Sequence, residues 1–470
     1  MIERVRENRI MKKVLEFIGS DKFIFFATFL TVLANAFSLE FVAWSVAFLV
    51  GAVSILFSKD LRAILPIAML SGFSISRANN TKGVLSVLDK GDYFLLEDPK
   101  GYITIAVFGG ILLILLLVRI FALGDFKKMK SKKYTFKYAL LSLAVALLIA
   151  GLTKRFFDFK NITSALIMIL STSACYFLLL GTIDFKDLPF SYFAKFFFSF
   201  AFVSAFSVIV VYLKHFDEIS KVVDGVLQIQ RGAIGTGWGG QNTISVVFLM
   251  SVPFGFYLAL TEKRGYIYSI LIILTYIITC LNLSRTLILF GGIFLLIGFI
   301  ILLIKSKKRL QHLIVVLAFL ATVSIIGIVF FDKLKGLFGL LIERGFIYSD
   351  RLKLMQYGIE AFKESPILGV GYIYCDPAVH FKGAFGKYHN IFVDILASSG
   401  IIGLILLILH FALVIKNGFR KKGSFITTIL AVGALVLVSC FDRFFFIPPI
   451  MLFYSVFLLI MEGYKEKNEE

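Results

Sequence analysis

His389 and Asn390 close a polar, glycine-punctuated stretch that begins at Ser365, and they open an apolar run containing Gly400 to Leu404. A neutral imidazole near physiological pH is suited to accept or orient the proton of a hydroxyl, which is otherwise a poor nucleophile. Such an attack needs a partner that stabilises the leaving anion. Arginine fits that need, because its guanidinium is always charged and grips phosphate through two parallel hydrogen bonds. Arg351 lies upstream in the same connection. Asn390 and Asp394 stand four apart, on one face of a helix that starts here, where a carboxylate is costly unless paired. Both are expected to orient the histidine.

The elements that must hold these residues are membrane helices. Hydrophobic residues make up 59% of the 470-residue chain and its mean hydropathy is +0.90, whereas soluble domains are about 45–50% apolar. Apolar runs long enough to cross the hydrocarbon core recur from end to end, and they give an expectation of about fourteen transmembrane helices. The fold class expected is therefore all-α, a polytopic integral membrane protein with a single membrane domain over 1–470. Lysine and arginine cluster in alternate connections, at Lys12-Lys13, Lys59 and Arg62, Lys127 to Lys133, Lys263-Arg264, Lys305 to Arg309 and Arg420 to Lys422. The positive-inside rule then puts both termini in the cytoplasm and the long connections outside.

The net charge of +19 reads as topogenic charge attracted to anionic inner-leaflet lipid. No nucleic acid is expected as a partner, because the aromatic residues, 53 of them phenylalanine, sit inside apolar runs and not in a basic soluble domain. The four cysteines, Cys175, Cys280, Cys375 and Cys440, have no paired spacing of the zinc or redox kind and are read as packing residues. The segment through Lys22 lacks the pattern of a cleaved signal peptide. The first span is expected to act as an uncleaved anchor.

Three outside connections are long. The first, 77–100, is of mixed charge; the second, 214–243, carries glycines at 232, 235, 237, 239 and 240; the third covers 332–390. Connections beyond about 12–15 residues are usually functional or disordered, and the third has helical periodicity. Ser349 or Asp350 can cap a helix whose Leu352, Met355, Ile359 and Phe362 recur at three- and four-residue spacing. That pattern predicts an amphipathic helix at the outer interface, with Arg351 on its first turn near the headgroups. Ser365-Pro366 ends it, and Gly369-Val370-Gly371 turns back toward the protein.

Other polar groups are weaker candidates. His410 lies near the far end of the span that Asn390 begins, so it cannot share a site with His389. His215, Asp217 and Glu218 have no second set of ligands at metal-binding spacing, and no metal site is expected. The glycine run follows no strand and lacks the lysine and hydroxyl pair of a P-loop. It is read either as a place where backbone approaches a ligand or as a flexible loop.

The order of Arg351, the Pro366 to Gly371 turn, His389-Asn390 and the span with Gly400 to Leu404 resembles the signature domain of the O-antigen ligase and polymerase superfamily. The Leu283-Ser284-Arg285 step and the preceding glycine-rich loop with an arginine resemble it too. The resemblance covers about Leu281 to Leu407. It implies a membrane glycosyltransferase fold that takes a glycan from an undecaprenyl-diphosphate carrier and passes it to a hydroxyl at the outer face of the bacterial cytoplasmic membrane, with no metal ion, nucleotide sugar or other cofactor. His389 matches the essential histidine of the family. Arg351, Arg285 and Arg231 match arginines that would bind the diphosphate.

The implied partners are the carrier-linked glycan donor, a glycan or lipid acceptor, the bilayer and other polysaccharide-assembly membrane proteins. A polymerase of lipid-linked repeat units is the first reading, and a ligase that moves the glycan to a lipid A core or another hydroxyl is the alternative. No soluble domain is expected after the last span, and on that expectation the protein-directed relatives of the family are the weaker match. A transporter or flippase is a further alternative. It would need polar groups near the bilayer midplane or two related halves with broken helices, and neither is evident in the sequence.

Overall fold

The structure is a computed structural model. It describes residues 6–76, 99–123, 134–153, 159–185, 188–223, 226–229, 235–236, 239–329, 349–371, 373–376, 381–384, 388–418, 424–442 and 444–466. The expected connection at 77–100 falls almost wholly outside the described residues, as does Arg231. In chain order the helices are α1 (Arg9–Ile18), α2 (Asp21–Phe37), α3 (Glu40–Phe57), α4 (Ile64–Ser76), α5 (Pro99–Leu123), α6 (Phe136–Leu152), α7 (Phe159–Ile169) and α8 (Cys175–Thr182). They continue as α9 (Phe190–Ile219), α10 (Gln241–Thr261), α11 (Gly265–Cys280), α12 (Arg285–Lys305), α13 (Arg309–Val329), α14 (Ser349–Glu364), α15 (Ile391–Gly418), α16 (Ser424–Ser439) and α17 (Pro448–Glu466).

The described chain is helical almost throughout. The departures are three antiparallel two-stranded ribbons in the long connections, which pair Ser220 with Ile229, Gly235 with Gly240, and Ile373 with Ala384. Among the described residues, seven helical segments are long and apolar enough to cross a membrane: α3, 162–182, 190–217, 242–261, α12, α13 and α15. The pair α1 and α2, bent by 70°, would add one more span, and six further apolar helices are shorter. The expected fourteen spans would need these to cross as well. Large apolar side chains point outward along many helices, for example Leu289, Leu296 and Ile300 of α12, as lipid-facing surfaces do.

The chain divides into two compact units, one of 1–124 with 182–344 and one of 125–181 with 345–470. In the first, Lys195 on α9 joins Asp21 of α2 at 2.6 Å and Glu262 at 2.8 Å, just past the end of α10. One ammonium thus ties three helix ends together. In the second, the Glu462 carboxylate of α17 accepts the Phe136 N–H that begins α6 at 2.8 Å and the Tyr176 hydroxyl of α8 at 3.0 Å, an acid placed where the helix dipole favours it. His410 is fully buried in α15. Its Nδ1–H donates to the Ala139 carbonyl and its Nε2 accepts the Tyr454 hydroxyl, both at 2.6 Å, so it holds helices together.

What positions the candidate site is a seam of backbone against backbone. The turn after α14 lies along α15, with Val370 N–H donating to Ala397 O at 2.8 Å, Gly371 N–H to Ser398 O at 3.1 Å and Ile401 N–H to Pro366 O at 2.9 Å. To admit it, α15 breaks its helical path at Gly400, where φ is 65°. Gly369 has φ 73°, and a Cβ there would lie 2.3 Å from the Ser398 carbonyl carbon; a Cβ on Gly400 would lie 2.3 Å from Ile367 O. Only glycine permits either conformation at this closeness. Helix α6 packs along α15 behind the seam, and Ser399 Oγ donates to Ala146 O at 2.7 Å.

The face of α14 that packs on protein lies beside its apolar stripe. Gly358 and Ala361 are buried, with Tyr357 beside them, against Tyr388 and Val393, while Leu352 and Ile359 of the expected stripe remain exposed. The apolar stripe and the protein-packed flank are adjacent faces of one helix, and the small residues set which of them fits protein. Gly369→Ala is expected to destabilise the protein by at least about 1–3 kcal/mol, the cost of a strained left-handed residue, because its Cβ also overlaps backbone. Gly433→Ala, where a Cβ meets nothing within 4 Å, should change little. Thermal unfolding of both variants in one detergent checks the contrast.

Candidate active site

The residue that opens α15 is Asn390, and it is built as a helix cap. Its Oδ1 accepts the N–H groups of Phe392 at 2.9 Å and Val393 at 3.1 Å, satisfying two donors that a helix start leaves unpaired. Its Nδ2 donates to the Cys440 carbonyl at 3.0 Å, which ties this start to the segment after α16. Asp394, fully buried, reaches back one turn so that its Oδ1 accepts the Tyr388 N–H at 3.2 Å. The two polar residues expected to orient the histidine therefore fix the backbone on either side of it.

His389 sits between those anchors with φ 56°, a left-handed conformation uncommon for a residue with a Cβ and concentrated at functional sites. The backbone there turns the imidazole toward Asp442, and His389 Nδ1 lies 2.8 Å from Asp442 Oδ1. The other carboxylate oxygen, Oδ2, lies 3.1 Å from Nη2 of Arg351, and Nη1 of Arg351 donates to the Phe441 carbonyl. The Asp442 side chain is only 6% exposed, against 18% for Arg351 and 25% for His389. A buried carboxylate is thus shared by a guanidinium and a more accessible imidazole.

A carboxylate can only accept, so Nδ1 of His389 carries a proton, and in the neutral ring Nε2 carries the free lone pair. Among the described residues Nε2 has no hydrogen-bond partner. The arrangement is that of a general base held in one tautomer by an acid behind it, with the acid's charge balanced by arginine and available to stabilise an imidazolium. Beside it, Cys440 has its thiol pKa raised by burial, which keeps it protonated and unreactive near neutral pH.

The sequence candidates divide accordingly. His389, Asn390, Asp394 and Arg351 come together at the head of α15. Arg285 opens α12 in the other unit, following Leu283 with φ 55°. Arg231 lies outside the described residues. Asp442 was missed by the sequence reading. Its one signal is that it is an ionisable residue in the short connection between two apolar helices, a position where charge usually has a function.

Residues 246–408 match the family model described as O-antigen ligase. The match agrees with the resemblance of the motif order to the O-antigen ligase and polymerase superfamily, whose members are membrane glycosyltransferase-like enzymes. No curated protein matches the chain. His389, Asn390, Asp394, Arg351 and Arg285 fall inside the matched segment, and Asp442 falls beyond it. Asp442→Asn keeps the shape but removes the charge and weakens the preference for one tautomer. It is expected to lower glycan transfer by about two to four orders of magnitude with the melting temperature within a few degrees of wild type. Turnover with a defined lipid-linked donor, read beside thermal unfolding, checks it.

Proposed function

We propose that this chain is a polymerase of undecaprenyl-diphosphate-linked oligosaccharide repeat units, working at the outer face of the bacterial cytoplasmic membrane as one membrane domain of about fourteen spans. The observation that carries the transfer chemistry is the bond of Asp442 to His389 Nδ1, which leaves Nε2 as a base at the head of α15. Nε2 takes the proton of an acceptor sugar hydroxyl as that oxygen bonds to C1 of the donor glycan. The bond from C1 to the diphosphate oxygen breaks, and the carrier diphosphate leaves with the electron pair.

Arg351, Arg285 and Arg231 bind the diphosphate in this proposal. Arg351 shares its charge with Asp442, so the other two are left the larger part in neutralising the leaving group until His389 is protonated. Arg351 then has a double assignment, to the carboxylate and to the donor. The exposed Leu352 and Ile359 of α14 support an interfacial seat for that helix, with its apolar flank in lipid and Arg351 at headgroup level. Neither metal nor nucleotide sugar enters the scheme.

The matched family, described as O-antigen ligase, favours a second reading, in which the acceptor is a lipid A core or another hydroxyl. The acceptor assay separates the two. Purified protein given lipid-linked repeat units alone should build a ladder of products, and His389→Ala should abolish it while leaving a folded protein. No ladder, but transfer once a lipid A core is added, would establish the ligase. Transfer to no acceptor would sink both and favour a transporter. Arg351→Lys is expected to cost about tenfold or more in turnover, because an ammonium cannot hold a carboxylate and a phosphate as a planar fork does.

A further inference from the structure

Away from the candidate site, the first unit holds a cavity of about 240 Å³ among α3, α4 and α5, lined by Gly51, Ser54, Leu61, Ile64, Leu112 and Leu116 among others. It is apolar, so water gains little by entering, and it is smaller than the roughly 300–1,000 Å³ of a pocket for a drug-sized ligand. Its proportions suit a segment of a single hydrocarbon chain.

One helical turn past the lining residues Ser54 and Leu116 the surroundings become cationic. Arg119 stands one helical turn beyond Leu116, on the same face of α5, and Ser58 stands one turn beyond Ser54, with their hydroxyls 3.4 Å apart. Arg119 is buried and donates to Ser58 O and, at 3.5 Å, to Lys59 O. Arg6 is half-buried and donates to Phe57 O at 2.7 Å and Ser58 O at 3.4 Å. Lys59 is exposed beside them. Asp60, the nearby acid, is taken by Arg62 at 2.6 Å. Among the described residues no carboxylate pairs with Arg6 or Arg119. Carbonyl oxygens take some of the donors of these guanidiniums but leave the two positive charges uncompensated, in a membrane protein where buried charge normally has a counter-ion.

We infer that this is a binding site for an anionic phospholipid, its phosphate on Arg6 and Lys59 over Arg119 and one acyl chain in the cavity. The charge complementarity and the single-chain cavity specify the ligand together, and Lys59 and Arg62 belong to the connections that the positive-inside rule assigns to the cytoplasm. The lipid is one of the cytoplasmic leaflet, which separates this site from the carrier-linked donor of the outer face.

The test is native mass spectrometry of the full-length protein, delipidated in detergent and titrated with dioleoyl phosphatidylglycerol or with dioleoyl phosphatidylcholine. One phosphatidylglycerol should be retained about tenfold more tightly than phosphatidylcholine, and the double variant Arg6→Gln with Lys59→Gln should erase the preference. Gly51→Leu should weaken both lipids alike by filling the cavity; a Cβ at Gly51 meets only ordinary contacts at 3.6 Å, so the variant keeps the arginines in place. Equal retention of the two lipids by the wild type, or a preference that survives the double variant, would overturn the site and leave the arginines as caps of the α3 C-terminus. Displacement of phosphatidylglycerol by equimolar undecaprenyl phosphate would overturn the choice of ligand.

Discussion

The carboxylate of Asp442 is the interaction on which the candidate site depends. With only 6% of its side chain exposed, it would be costly as a lone charge. It is held because one oxygen meets the Arg351 guanidinium and the other meets the His389 imidazole. The same pairing decides the chemistry of the histidine. A proton fixed on Nδ1 leaves Nε2 basic, and a negative charge behind the ring favours the imidazolium that proton abstraction creates. Without the acid, the ring would be free to take either tautomer.

That triad brings together three separate parts of the chain, and close backbone contact is what permits it. Gly369 and Gly400 let the turn after α14 lie directly on α15, which places the arginine-bearing helix beside the histidine. Gly358 serves the same end on α14, since a Cβ there would lie 2.4 Å from Val393 and 2.9 Å from Tyr388. Asn390 closes the third side by holding the Cys440 carbonyl while capping α15. Position is thus set by rigid packing of helices and turns, and the left-handed strain at His389 is tolerated because both of its neighbours are tied down.

Much of this was legible in the sequence, for identifiable reasons. His389, Asn390 and Arg351 lie on either side of one turn whose glycines and proline announce it, and apolar runs of span length announce the helices. Asp442 was not legible, because 53 residues separate it from His389 and an isolated carboxylate between spans has no local pattern. The flank of α14 that packs on protein was not legible either, because its buried positions are Gly358 and Ala361, small residues that hydropathy does not weigh. The ribbons of two to four residues are shorter than any periodicity can reveal.

The central claim is the tautomer of His389, and it can be observed without turnover. Ring 15N shifts of histidine-labelled protein, with His389 assigned by difference from His389→Gln among the chain's five histidines, report which nitrogen carries the proton. In the neutral ring the account predicts a protonated Nδ1 and a bare Nε2, with the two tautomers mixing in Asp442→Asn. A proton on Nε2 in the wild-type protein would contradict it, because the base at the head of α15 would then be facing the wrong way.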